Sequence, residues 1–282
     1  MCSVSPVKVD THASFAKKSV AVVGSGISGL STAWLLHKSG YKVTLYEKEA
    51  TFGGHTLTDD SAPVPVDLGF QVFNFTNYPN LVGFLDALGV KSEPSDMSFA
   101  LSVDGGKLEW ASVGLTSIFA QRKNLLSPSF WRMIADVLRF NSKAPEVLNK
   151  SKKEFAGMTL GQYLKRGRYS KIFCASYILP MCAAIWSVPT ATVLDFPVEM
   201  MVQFWVNHHL LSLVDRPLWR VVAGRSRSYV TQVVSQLKDT HTSTAVTSLK
   251  RKPNGQVEVE LKKMGPDGTP SKGGTSRKTF DS

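Results

Sequence analysis

The chain has 282 residues, 43% of them hydrophobic, and a formal net charge of +11. That length suits about two domains with sizeable cores, and no run reaches the roughly 18 uninterrupted apolar residues of a membrane helix, so no integral membrane segment is expected. Cys2, Cys174 and Cys182 are too few for a disulfide framework and lack metal-ligand spacing, which points to a reducing compartment and to no metal site. The basic residues are scattered through Lys150–Lys153, Lys165–Arg168, Lys250–Lys252 and Lys262-Lys263 with no nucleic-acid motif beside them. They read as solvated surface, and no nucleic-acid partner is expected. Residues 1–18 carry Lys8, Asp10, Lys17 and Lys18 without an apolar block. They read as a disordered leader, no secretory signal and a poor transit peptide, so a cytoplasmic location is expected, with organelle targeting as the alternative.

The most informative segment is Val20-Ala21-Val22-Val23-Gly24-Ser25-Gly26-Ile27-Ser28-Gly29, a β-branched run that feeds into Gly-x-Gly-x-x-Gly. Gly24 permits the tight turn out of the strand, Gly26 lets backbone approach a diphosphate, and Gly29 lets the next helix pack closely. The free N–H groups and partial positive charge at that helix start suit a dinucleotide. Ile27, Leu30 and Trp34 recur at helical spacing, Ser39-Gly40 is a stop, and Lys42–Glu47 reads as a second strand. Glu47 ends it about 20 residues after the glycines, where a carboxylate accepts adenosine ribose hydroxyls and repels a 2′-phosphate, which argues against NADP.

Further along, Asn77 is expected to cap a helix carrying Leu81, Leu85 and Leu88 on one face and stopping at Gly89. Ser98–Val103 and Lys107–Ala111 flank Asp104-Gly105-Gly106, a hairpin signal. From about Ser112 to Leu213 the pattern is helical and aromatic. Ser129 to Leu148 should form one helix with Phe130, Ile134, Val137 and Leu138 on its apolar side. Thr159-Leu160-Gly161-Gln162 is a capping box, and Ile172 to Val188 reads as a buried helix. His208-His209 reads as a core or edge pair, since adjacent histidines leave a helix on different faces. Ser226 to Leu237 is expected to be a helix, Ala245–Leu249 a strand, Pro253-Asn254-Gly255 a turn into the alternating Val257, Val259 and Leu261, and Gly265–Gly274 a flexible loop.

Glu47 through Thr58, with Gly53-Gly54-His55 at its centre, resembles the segment after the ribose-binding glutamate in the amine oxidase and protoporphyrinogen oxidase superfamily of flavoproteins. Val66–Asn74 resembles the segment beside the flavin ring, and Asn77–Asn80 begins the helix after it. Pro180–Ser187 and Leu194–Pro197 resemble the substrate-domain core of a related subgroup, and Arg216–Trp219 with Gly224–Val230 its return into the first domain. The resemblance implies FAD as cofactor, held by Gly24, Ser25, Gly26, Ile27, Ser28, Gly29, Glu47, Lys48, Gly53, Gly54, His55, Thr56, Gly69 and Phe70. It also implies main-chain contact of Val246 with the adenine, although Val246 reads equally well as a buried strand residue. Two departures stand out: Arg225 replaces a usual glycine, and segments that close over the flavin in the family would lie beyond Ser282. The chain as it stands is therefore expected to hold FAD weakly and turn over poorly.

The combined reading is an α/β protein: a discontinuous Rossmann-like FAD-binding domain over 19–97 and 219–282, with a mainly helical substrate domain inserted at 98–218. The expected reaction is hydride removal from a small-molecule substrate, at a C–H next to nitrogen or within a hydrocarbon chain. The flavin carries the chemistry and no catalytic side chain is singled out. Asp67 reads as part of a turn beside the cofactor. A catalytically impaired FAD-binding or regulatory module and an NAD(H)-binding protein are the alternatives. Substrate and oligomeric state are left open.

Overall fold

The computed structural model describes residues 18–149, 153–212, 216–271 and 274–282, so all of the expected leader but Lys18 lies outside the described residues. Two compact units divide the chain. One takes in the described residues up to Phe73, Tyr78–Ser95 and Arg220–Ser282; the other takes in Asn74–Asn77 and Asp96–Trp219.

In the first unit, β1 (Ser19–Val23) and β2 (Lys42–Tyr46) pair in parallel around the crossover helix α1 (Ile27–Lys38). Alternation along β1 buries Val20 and Val22 against Leu30 and Ala33 of α1, which are fully enclosed. Val20, Val22 and Leu30 each contribute about 1.5–3 kcal/mol by leaving water. Ile27, expected on that face, is exposed at the first position of the helix. A short antiparallel pair follows, β3 (Thr58–Asp59) with β4 (Val66–Asp67). The helix α2 (Pro79–Ala87) starts from Tyr78 with Pro79 in its first turn and no side-chain cap. Asn77 is therefore not its cap: its amide Nδ2 donates instead to the carbonyl of Asn207 at 2.6 Å, and Pro79, with φ already set, needs no help to start the helix. The stop at Gly89 is present, and β5 (Ser92–Pro94) comes next.

The second unit begins with the hairpin of β6 (Ala100–Val103) and β7 (Leu108–Ala111), turned at Asp104-Gly105-Gly106. Helix α3 (Gly114–Ile118) and a 3₁₀ turn (Arg122–Leu126) lead into α4 (Pro128–Lys143), capped by the Ser127 hydroxyl. This helix is shorter than the expected Ser129–Leu148, because Pro145 falls in a separate 3₁₀ turn, Ala144–Leu148. Its buried face is also rotated from the expected one. Phe130, Met133, Asp136 and Phe140 are enclosed while Leu138 is 49% exposed. Asp136 takes an inward position because Arg139 Nη2 at 2.8 Å and the Ser170 amide at 2.9 Å satisfy its carboxylate.

Helix α5 (Leu160–Arg166) opens on the expected capping box between Thr159 and Gln162. The stretch expected as one buried helix is three pieces: α6 (Lys171–Phe173), a single π turn (Cys174–Ile178) and α7 (Leu179–Trp186). The π turn accommodates Pro180, whose missing N–H would otherwise break the ladder. Helices α8 (Thr190–Val193) and α9 (Val198–Asn207) complete the unit around an aromatic core. The ring of Phe140 there meets those of Tyr163, Phe173 and Trp205 at 6.0, 5.6 and 5.4 Å. No helix among the described residues is long and apolar enough to cross a membrane.

The chain returns to the first unit through β8 (Arg220–Val222), antiparallel to β5. Helix α10 (Arg227–Val234) ends three residues before the expected Leu237. Strand β9 (Asp239–His241) then adds in parallel to β2, giving the order β1-β2-β9. A meander of β10 (Thr244–Arg251), β11 (Val257–Lys263) and β12 (Ser276–Phe280) forms a separate antiparallel sheet. On the free side of β1, Ala21 N–H donates to the carbonyl of Ser282 at 3.1 Å.

Candidate cofactor site

The turn from β1 into α1 is built as its glycines require. Gly24 has φ +89, and its N–H bonds the carbonyl of Tyr46, so the strand end is pinned to β2 at the point of reversal. A Cβ on Gly29 would lie 1.9 Å from the Gly24 carbonyl oxygen, so the close packing here joins the helix to the turn itself. A Cβ on Gly26, by contrast, would meet no atom within 4 Å. Gly26 is the N-cap of α1 without a side-chain cap bond, and no acidic residue stands in the first turn. The N–H groups of Ile27 and Ser28, both exposed residues, therefore head an uncompensated helix dipole over open space.

Glu47, the residue after β2, is only 6% exposed. Its Oε2 accepts from the Ser25 amide at 2.8 Å and the Ser25 hydroxyl at 2.6 Å, and its Oε1 accepts from the Glu49 amide at 2.9 Å. Burial pushes the Glu47 carboxyl up, but these bonds from Glu49 and Ser25 outweigh it, and the net shift is below the ordinary value. The carboxylate stays charged. Ser25 is fully buried and also accepts from the Gly53 amide at 3.0 Å. Its hydroxyl thus joins the glycine turn, the end of β2 and the Gly53-Gly54 loop. Lys48 is exposed and lies 3.4 Å from Glu49 on the surface.

The second glycine pair meets the first. Gly54, with φ +59, sits so close that a Cβ there would be 3.0 Å from Gly26 Cα. His55 is exposed, and its carbonyl accepts from the Phe70 amide at 3.2 Å while touching the position a Gly69 side chain would need. The buried Thr56 hydroxyl bonds the Tyr229 hydroxyl of α10. Asp67 is not in a turn. It lies in β4 and accepts from Thr58 Oγ1 at 2.6 Å, Ser226 N at 3.0 Å and Ser226 Oγ at 2.8 Å, because its pairing with β3 turns its carboxylate to the start of α10. Tyr229 and Ser226 were not singled out from the sequence. A tyrosine on the apolar stripe of α10, whose hydroxyl must find a partner, is the signal that could have found the first.

Val246 lies in β10, two residues after Thr244, whose amide bonds the Glu47 carbonyl at 2.8 Å. Its side chain packs with Tyr46, Val259, Leu261 and Phe280. Arg225 has φ +72, and its Nε donates to the Pro65 carbonyl at 2.7 Å. His208 ends α9 with its ring stacked 4.0 Å from Phe204, and the neighbouring His209 turns away at φ +56. Among the described residues no cluster of three or more His, Cys, Asp or Glu could hold a metal. Burial pushes the Cys174 thiol up and that of Cys182 to about 12.

Residues 22–88 match the family model of the NAD(P)-binding Rossmann-like domain. The chain is 34% identical over 140 residues to the carotenoid phi-ring synthase of Streptomyces griseus, covering 44% of this chain and 25% of that protein. It is 29% identical over 151 residues to a probable flavin-containing monoamine oxidase A of Dictyostelium discoideum, covering 52% and 32%. Among solved structures, cyclohexylamine oxidase from Brevibacterium oxydans aligns at a TM-score of 0.64 with 15% identity, over 93% of this chain and 56% of that one. The alignment thus spans little more than half of that structure and a third or less of the two curated relatives.

Proposed function

We propose that this chain is a member of the FAD-dependent amine oxidase superfamily, holds FAD along the Gly24–Gly29 turn and contributes to oxidation of a small organic substrate. One observation carries the reading: the two glycine segments converge at Gly26 and Gly54, beside a buried, charged Glu47 and an open helix start. The missing side chains leave room for a diphosphate against backbone N–H groups. The negative charge of Glu47 suits a ribose hydroxyl as donor and disfavours a 2′-phosphate. His55, Thr56, Gly69 and Phe70, tied together by the Phe70 amide on the His55 carbonyl, would extend the cradle beyond Gly54, and Val246 would join it from β10, which the Thr244 amide ties to the Glu47 carbonyl.

Bound there, the flavin would supply hydride abstraction from a C–H bond, next to nitrogen by analogy with the amine oxidases of the superfamily. The residues of this chain bind and orient. Ser25 fixes the direction of the Glu47 carboxylate, and Tyr229 and Asp67 hold the loops at Thr56 and Ser226. The test is the absorbance of the purified protein, before and after incubation with FAD, with the cofactor identified after release by heat. Retained FAD supports the reading, and retention of NAD(H) without any flavin overturns it.

A further inference from the structure

Four large apolar side chains of the second unit stand out in water together. Leu126 is 88% exposed, Leu115 76%, Trp131 48% and Leu125 47%. They belong to one patch. Trp131 Nε1 donates to the Leu125 carbonyl at 2.9 Å, the Trp131 ring lies 5.2 Å from Phe119, and Phe119 closes the turn that starts at Leu115. Isolated exposed leucines are ordinary, but a contiguous group at the tips of a short helix and a 3₁₀ turn is not.

The charge around the patch is predominantly positive. Between Glu109 and Asp136 the sequence has no acidic residue, while Arg122, Lys123 and Arg132 are all present and exposed. Lys123 reaches back to the Lys107 carbonyl, Arg132 pairs with the buried Asp136, which Arg139 shares, and the Glu109 carboxylate rests on the Gln121 side chain, so the balance beside the leucines is positive and is carried chiefly by Arg122 and Lys123. The whole chain, at +11, adds long-range attraction to negative surfaces.

We infer that this patch docks the protein on an anionic lipid surface, with Leu115, Leu125 and Leu126 entering the headgroup and acyl boundary, Trp131 at the interface, and Arg122, Lys123 and Arg132 against the lipid phosphates. Protruding leucines beside an interfacial tryptophan and a ring of cations are the composition of a surface-lying anchor. The indole fits that position because its N–H is already satisfied by Leu125, so entry strands no donor. The Ser127 and Asn124 amides are likewise bonded within the turn. Nothing here spans a bilayer: the contact is reversible and electrostatic in part, and salt weakens it.

The experiment is flotation of the full chain with vesicles of phosphatidylcholine, with and without phosphatidylserine, at low and high salt. Binding is expected only with phosphatidylserine and is lost at high salt. Leu126→Ser should weaken it about tenfold, the worth of one buried leucine, and Arg122→Gln with Lys123→Gln about fivefold per charge. All these positions are exposed, so circular dichroism and melting temperature should not change. No binding to acidic vesicles, or binding indifferent to Leu126→Ser and to the charge changes, overturns the inference. So does concentration-dependent self-association abolished by Leu126→Ser, which would give the patch to a second copy of the chain.

Discussion

Ser25 spends both of its polar hydrogens on a single oxygen of Glu47, at 2.8 Å from the amide and 2.6 Å from the hydroxyl. The carboxylate usually considered only as a partner for ribose is thus first a structural clamp. It closes the glycine turn onto the end of β2, and the same serine oxygen accepts from Gly53.

Ser25→Ala should therefore cost stability before it costs binding. It removes a hydrogen bond to a buried charge and leaves the Gly53 N–H without its acceptor, for a loss of about 2–3 kcal/mol. Urea denaturation of the cofactor-free protein measures it. A variant as stable as the parent would show that the clamp is not needed.

The glycines of the turn separate folding from binding. Gly29→Ala puts a Cβ 1.9 Å from the Gly24 carbonyl, a clash of backbone with backbone, so the variant should fail to fold or lose more than about 3 kcal/mol. Gly26→Val meets open space at φ −62 and should change stability by no more than about 1 kcal/mol. It should nevertheless lower FAD content strongly, because its side chain stands where the diphosphate is proposed. Parental FAD content in a folded Gly26→Val protein would remove the cofactor from this turn.

These distinctions were only partly legible in the sequence. The β1 to Glu47 unit and the Thr159 capping box rest on contacts between near neighbours, so spacing carries them. Asn77 misled because its real acceptor, Asn207, lies 130 residues away and outcompetes a cap that Pro79 makes unnecessary. On α4, hydrophobic periodicity placed Leu138 inward, but the ion pairs of Asp136 with Arg139 and Arg132 rotate the buried face. The bond of Thr56 to Tyr229 and the grip of Asp67 on Ser226 join residues 173 and 159 positions apart. No local pattern encodes such pairs.

Acid should open the clamp. The Glu47 carboxyl is held below its ordinary value of 4.5, so the folded state favours the charged form more than the unfolded chain does. Its contribution is complete above pH 4.5 and is lost as pH falls through the lower folded value. Asp136, also depressed, adds to the same loss below its ordinary 3.8. Comparing urea midpoints of the parent and Glu47→Gln across pH 3–7, about the window these carboxyl groups span, isolates the Glu47 share. The variant should be the less stable at neutral pH, and the gap should close on acidification. A gap that stays constant would mean that the charge of Glu47 contributes nothing.

Arg225 sets backbone strain against a hydrogen bond. Its φ of +72 lies in the left-handed region, where a side chain costs about 1 kcal/mol relative to glycine. Its Nε bond to the Pro65 carbonyl offsets part of that cost. Arg225→Ala keeps the strain and loses the bond, whereas Arg225→Gly loses both. The alanine variant should therefore be the least stable of the three, with glycine above it by about 1 kcal/mol. The arginine protein should lie near the glycine variant, since a partly buried bond from a charged donor is worth about as much as the strain it offsets. Melting temperatures of the three proteins in one buffer decide the order, and an alanine variant equal to the glycine variant would show that the turn carries no strain at this position.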